Sequence, residues 1–186
     1  MMHVLTQVRS RKLTGYQALI ASLIGAAFTA VCAKIVFYLP VSPVPVTGQV
    51  FAVIFCGMVL GSRLGALSQI EYIAIGLMGA PVFCGSLSGP MILAGPTVGY
   101  LVGFVAAAYM VGKLMETRVD ASFRFACAAG LIGVGVIHTL GVCWLAIWPG
   151  HLFAGLSAWL VGAVPFVGVD IVKVVIAARL CTVRSR

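Results

Sequence analysis

Charged residues fall so far apart along this chain that they divide it into long apolar blocks. No Asp, Glu, Lys or Arg occurs within 13–33, 35–62, 72–112 or 125–169. A helix needs about 20 apolar residues to cross the hydrocarbon core of a bilayer. The last two blocks, of 41 and 45 residues, exceed one crossing and are interrupted by Gly and Pro. The pattern predicts six membrane-spanning helices, at about 14–37, 48–62, 65–80, 94–112, 124–148 and 165–183. The second and third are short and joined tightly through Gly61-Ser62-Arg63-Leu64-Gly65. Pro165 suits the first turn of a helix and breaks an interior one. Residues 152–163 therefore read as a half-helix or re-entrant segment before the last span. One long kinked helix is the alternative.

Composition turns this pattern into a class. Of 186 residues, 62% are hydrophobic and 9% charged, against roughly 25% charged in soluble domains. That excludes a disordered tail, a fibrous repeat and almost any soluble enzyme. The expectation is an all-α integral membrane protein, multi-pass in the cytoplasmic (inner) cell membrane. It forms one membrane domain over 1–186: an N-terminal tail at 1–13, a six-helix bundle at 14–183 and a basic tail at 184–186. Arg9, Arg11 and Lys12 resemble a signal-peptide n-region, but the apolar stretch after them is long enough to span and reads as a retained helix.

Net charge is +8, from twelve Lys and Arg against four Asp and Glu. In a soluble protein this would suggest a nucleic-acid partner. Here, with the N-terminus placed in the cytoplasm, the cytoplasmic segments and their edges hold Arg9, Arg11, Lys12, Arg63, Lys113, Arg118, Arg124, Arg179, Arg184 and Arg186. The opposite loops, 38–47, 81–93 and 149–164, hold no basic residue. The positive-inside rule then supports six spans with both termini cytoplasmic, and nucleic acid is not called for. Lys34 and Lys173 are the exceptions. Six scattered cysteines without a CxxC pair read as packing residues, so neither a metal site nor a disulfide is expected.

The outer loops are rich in Pro, Gly and aromatic residues. Irregular backbone at membrane depth is tolerated only where protein buries it or where it lines a cavity. A lid or pocket rim and a simple tight turn both fit. Phe37, Tyr38, Phe83, Trp144, Trp148 and Trp159 gather toward this side and suit an interfacial belt.

Of the four acids, Glu116 and Asp120 fall in the basic loop and are expected to be solvated. Glu71, near Gln69, is intramembrane and a functional candidate by default, facing a partner helix or a wet crevice. Asp170 and Lys173, at i and i+3, share one helix face and can neutralise each other in lipid. They read either as a ligand site or as an internal ion pair, though burying a pair is a poor route to stability. No nucleophile–base pair is visible, so an enzyme is not expected. His138 reads as a hydrogen-bonded interior histidine and His151 as an outer-loop residue. There is no GxxxxGK[ST], so any energised step needs a separate ATPase. Small residues recur every fourth position at Ala18, Ser22, Ala26 and Ala30, at Ala21, Gly25, Thr29 and Ala33, and at Gly95, Gly99 and Gly103. Such stripes let helices approach closely, within the chain or against a partner protein.

Four motifs now occur in order: Pro43-Val44-Pro45-Val46-Thr47-Gly48-Gln49, Gly76-Leu77-Met78-Gly79-Ala80-Pro81-Val82-Phe83, Gly95-Pro96-Thr97-Val98-Gly99-Tyr100 and Asp170-Ile171-Val172-Lys173. Together they resemble the BioY family, the biotin-specific substrate-binding (S) components of energy-coupling-factor (ECF) transporters. The chain departs from the family pattern at Gly168-Val169, at Val98, at Glu71 and in the loop after Phe83. The resemblance implies an S-component fold whose pocket opens outward, beneath the loop after the first helix and the loop between helices three and four. It implies substrate contacts from Gly95, Pro96, Thr97, Gly99, Tyr100, Asp170 and Lys173, with Thr47, Gln49 and Tyr72 as further candidates. Biotin is the implied transported ligand, with no cofactor. Asp170 would take a ureido N–H, Thr97 a polar ring atom, Lys173 an oxygen or Asp170 itself, and Tyr100 would form an apolar wall. The implied partners are a transmembrane coupling (T) component and two ATPase subunits. Ala26 and Ala30 match the family's Ala-x-x-x-Ala face for the T component, and Ala18 and Ser22 extend that stripe. An S component for thiamine or riboflavin, and a membrane assembly subunit, remain the alternatives.

Overall fold

The computed structural model describes residues 14–85, 88–118, 120–148 and 155–182. Helix α1 spans Gly15–Ala33. The Gln17 side chain accepts the Thr14 N–H at 3.3 Å and closes its first turn. The helix stops four residues short of the expected boundary. Val36–Phe37 forms strand β1 and pairs antiparallel with β2, Val46–Thr47, in the register Val36↔Thr47 and Phe37↔Val46. The β-branched and aromatic residues favour this pairing, and Pro40, Pro43 and Pro45 between them cannot carry a helix. The bundle therefore includes a small β-ribbon that the all-α expectation lacks.

Helix α2, Gln49–Leu77, carries a break at Gly61, whose φ of 81° and ψ of −176° suit glycine. The chain reverses there. A Cβ on Gly65 would lie 3.0 Å from the Gly57 Cα, whereas eight residues of straight helix span about 12 Å. The two limbs, 49–60 and 62–77, are the two short spans expected from hydropathy. Glu116 closes the start of the second limb: the Ser62 N–H donates to Oε1 at 2.7 Å, and Ser62 Oγ lies 2.9 and 3.0 Å from the two carboxylate oxygens. Glu116 is exposed, but it is not merely solvated as expected. A carboxylate satisfies an orphan N–H and complements the helix dipole at such an end. Glu116→Ala is expected to cost about 1 kcal/mol, read as a lower unfolding midpoint in detergent.

Helix α3 is Val98–Glu116 and α4 is Phe123–Ile147. A 3₁₀ turn, Gly89–Ala94, precedes α3, and Gly95 is extended rather than helical. The expected Gly95/Gly99/Gly103 stripe thus begins at Gly99. The short helix α5, Leu156–Gly162, leads through a 3₁₀ turn at Val164–Phe166, which contains Pro165, into α6, Val167–Thr182. This is the half-helix arrangement rather than one kinked helix. Residues 152–154 of the proposed half-helix and His151 lie outside the described residues.

One end of the bundle gathers the basic residues. The Gly61 turn meets the end of α3 through Glu116. The Arg118 guanidinium stacks on Phe125 at 4.6 Å, and Arg179 stacks on Phe123 at 4.2 Å. Arg63, Lys113 and Arg124 sit on these same element ends. Arg9, Arg11, Lys12, Arg184 and Arg186 lie outside the described residues. Exposed Ile24, Val31, Val102, Val172 and Leu180 make an apolar exterior suited to lipid.

A polar seam joins α1 to the second limb of α2. Gln69 Nε2 donates to Thr29 Oγ1 at 3.2 Å and to Ser68 Oγ at 3.0 Å, and Ser22 Oγ donates to Glu71 Oε1 at 2.8 Å. Glu71 therefore faces α1. The stripe expected to meet a partner turns inward: Ser22 and Ala26 are buried, and Ala18 and Ala30 are half-buried at its edges. Gly25 between them explains why, since its Cβ position lies 2.9 Å from Ser68 Cβ. Small residues here serve close packing within the chain.

Candidate functional site

At the end of the bundle opposite the basic residues lies a cavity with a mainly apolar lining. The β-ribbon and its connection contribute Val44, Pro45 and Thr47, and the loop after α2 contributes Phe83, Cys84 and Ile92. Both irregular outer loops are therefore walls of a cavity rather than simple turns. Lys34, at the end of α1, donates to the Pro81 carbonyl at 2.6 Å and the Phe83 carbonyl at 3.0 Å, tying one lid to the bundle. Trp144 Nε1 donates to the Gly95 carbonyl at 3.0 Å and Trp148 Nε1 to the Ala94 carbonyl at 2.7 Å, so α4 holds the other end of that loop. Burial pushes the Cys84 thiol pKa up, which keeps this part of the wall uncharged.

The cavity's polar floor comes from α4 and α6. Pro165 ends the preceding turn, so Asp170 falls near the start of α6, where a helix favours negative charge. Its carboxylate is 1% exposed and holds two partners, Lys173 Nζ on Oδ1 at 2.7 Å and His138 Nε2 on Oδ2 at 2.8 Å. In the neutral ring this contact assigns the proton to Nε2 and leaves Nδ1 as an acceptor. That Nδ1 is buried and has no hydrogen-bond partner. Lys173 spends one of its three N–H donors on Asp170 and faces the cavity. The imidazole sits edge-on to Tyr100, with centroids 6.2 Å apart, and 5.9 Å from the Phe166 ring. Tyr100 is itself pinned by its hydroxyl, which donates to the Gly162 carbonyl at 2.7 Å.

A second polar chain runs along the rim. Thr47 Oγ1 donates to Gln49 Oε1 at 2.9 Å, Gln49 Nε2 donates to the Tyr72 hydroxyl at 2.7 Å, and that hydroxyl donates to the Val82 carbonyl at 3.2 Å. The Tyr72 ring stands edge-on to Phe83, 5.4 Å away. Gly76 leaves room for Phe83, because a Cβ there would overlap its ring.

Six of the ten substrate candidates line the cavity: Thr47, Gln49, Thr97, Tyr100, Asp170 and Lys173. Tyr72 stands one layer behind and orients Gln49. Gly95 offers its carbonyl to Trp144, Gly99 packs against α4 at Trp144 and Leu140, and Pro96 is absent from the lining. Sequence reasoning missed His138 as a site residue. Its partner lies 32 residues away on another helix, so no local spacing connects them. The available signal was an imidazole in the middle of a predicted span, at 124–148.

Comparison with known proteins follows the same direction. Residues 5–186 match the model of the BioY family. The biotin transporter BioY of Thermotoga maritima is 41% identical over 76% of this chain and 81% of its own length. The biotin transporter BioY of Rhizobium etli is 33% identical over 83% of this chain and 87% of its own. The crystal structure of an S-component for biotin from an ECF-type ABC transporter superposes with a TM-score of 0.81, at 22% identity, covering 94% of this chain and 95% of that one. At that identity the likeness is one of fold.

Proposed function

The chain belongs to the BioY family of multi-pass cell-membrane proteins, and from that premise we propose that it binds biotin for uptake. The observation that carries the reading is the composition of the cavity. Its charged lining groups among the described residues are one carboxylate and one ammonium, paired to each other. The floor is therefore polar and close to neutral. It suits a neutral ring with both donors and acceptors, such as the ureido ring of biotin, better than a cationic thiazolium. The remaining wall is mainly apolar, as in most small-molecule sites, with Tyr100, Phe104 and Phe166 beside the polar groups.

In this reading each Asp170 oxygen, already holding one donor, keeps a lone pair for a ureido N–H. The remaining Lys173 N–H groups donate to a ligand oxygen, and Thr97 stands at the edge for a second polar contact. The rim chain from Thr47 to Tyr72 holds Gln49 in one orientation. Binding precedes reorientation, and the chain acts as a carrier rather than a catalyst. With no nucleotide-binding loop in the sequence, the power stroke is assigned to a T component and two ATPase subunits. Because Ser22 and Ala26 are covered, the T component is proposed to meet the exposed side of α1, at Ile20, Ile24, Ala27 and Val31.

Ligand-dependent thermal unfolding in detergent tests the choice of vitamin. A ligand at a hundred times its dissociation constant stabilises by about 2.7 kcal/mol. Biotin is expected to raise the midpoint, whereas thiamine and riboflavin leave it in place. A shift with either of those and none with biotin would overturn the reading.

A further inference from the structure

We propose that His138 contacts the ligand directly and sets its specificity, its Nδ1 accepting a hydrogen bond from one ureido N–H. The inference rests on the reading of this chain as a biotin binder and adds a contact that neither the motifs nor the Asp-x-x-Lys pair contains.

The floor of the cavity holds one unmet acceptor. Nδ1 is buried without a partner, and buried polar groups in native proteins nearly always have one. The ring cannot turn away to find it. Its other nitrogen is held by Asp170 at 2.8 Å, and Tyr100 and Phe166 flank the ring. The Tyr100 hydroxyl, whose ring stands against the imidazole, donates to the Gly162 carbonyl instead. His138 lines the cavity, so a bound ligand can supply the missing N–H once the side chains that cover Nδ1 give way. Asp170 fixes the tautomer, and the tautomer makes Nδ1 an acceptor. A cyclic urea carries two N–H groups, and this floor offers two acceptors on linked side chains, the Asp170 carboxylate and His138 Nδ1. A ligand with acceptors alone would leave Nδ1 unpaired, and sites with a buried unmet partner reject such ligands strongly.

Two substitutions separate contact from positioning. His138→Gln places an amide nitrogen near the former Nε2, keeping a donor for Asp170 while removing the acceptor at Nδ1. His138→Asn places its amide near the former Nδ1 and drops the Asp170 bond. The probes are biotin and two cyclic carbamate analogues, in which one or the other ureido N–H is replaced by oxygen without added bulk. Wild-type protein is expected to bind each analogue at least about tenfold more weakly than biotin. In His138→Gln the discrimination against one analogue collapses while that against the other persists. In His138→Asn, with its amide oxygen near the Nδ1 position, part of the lost discrimination returns. An equal loss for biotin and both analogues in His138→Gln would mean that His138 only positions Asp170, and would overturn the inference. Wild-type indifference to either analogue would overturn it without any variant. A wild-type protein that binds riboflavin or thiamine but not biotin would instead overturn the functional reading beneath it.

Discussion

Asp170→Asn is expected to weaken biotin binding by about a hundredfold or more, equivalent to about 2.7 kcal/mol. The carboxylate accepts from two donors at once, Lys173 on one oxygen and His138 on the other. An asparagine has nearly the same shape but offers only one oxygen, and its NH₂ would face a second donor. The ring and the ammonium then lose their common anchor, and the ligand loses an anionic acceptor. Stability falls as well. Removing one partner of a buried ion pair costs about 3–5 kcal/mol, because the other charge is left uncompensated. The double variant Asp170→Asn/Lys173→Met is therefore expected to unfold at a higher temperature than the single variant while still failing to bind. Paired unfolding and radioligand measurements separate the two effects. Unchanged biotin affinity in Asp170→Asn would remove this residue from the site.

Gly99→Val is expected to be the most damaging packing change among the candidate residues. A Cβ at this position would overlap Trp144 Cβ and the Leu140 carbonyl oxygen. The carbonyl belongs to α4 backbone and cannot swing aside, so α3 and α4 must separate. Overpacking of this kind costs about 1–3 kcal/mol and occasionally more. The damage also reaches the lid, because Trp144 holds the Gly95 carbonyl. Gly135 supplies the control, since nothing lies within 4 Å of its Cβ position. Gly135→Ala should leave the unfolding midpoint unchanged or raise it slightly, alanine being the better helix former. If Gly99→Ala and Gly135→Ala melt alike, the packing role of Gly99 is wrong.

Hydropathy and charge spacing made much of this fold legible, because the bilayer imposes a length on every span. The hairpin at Gly61 was visible as two short apolar runs around a basic turn. Pro165 marked the break before α6. What stayed hidden depended on which surface meets which. A stripe of small residues announces a close approach but not the neighbour, so Ser22 and Ala26 suited a partner protein until the second limb of α2 was seen against them. Gly95 and Gly99 share a four-residue spacing, yet one precedes the helix and the other packs within it. Strands of two residues are too short for alternation to register. The floor of the site was half visible: Asp170 and Lys173 share a helix face, whereas His138 joins them only through tertiary folding. Glu116 looked solvated because a cap on another helix leaves no mark in local sequence.

Every role proposed for Asp170, Lys173 and His138 depends on this cavity holding biotin. The most direct measurement is equilibrium binding of radiolabelled biotin to the purified chain alone, in detergent, with total protein counted independently. Saturable binding approaching one biotin per chain is expected, displaced by unlabelled biotin and not by thiamine or riboflavin. A folded, monodisperse chain that shows no saturable biotin binding would contradict it.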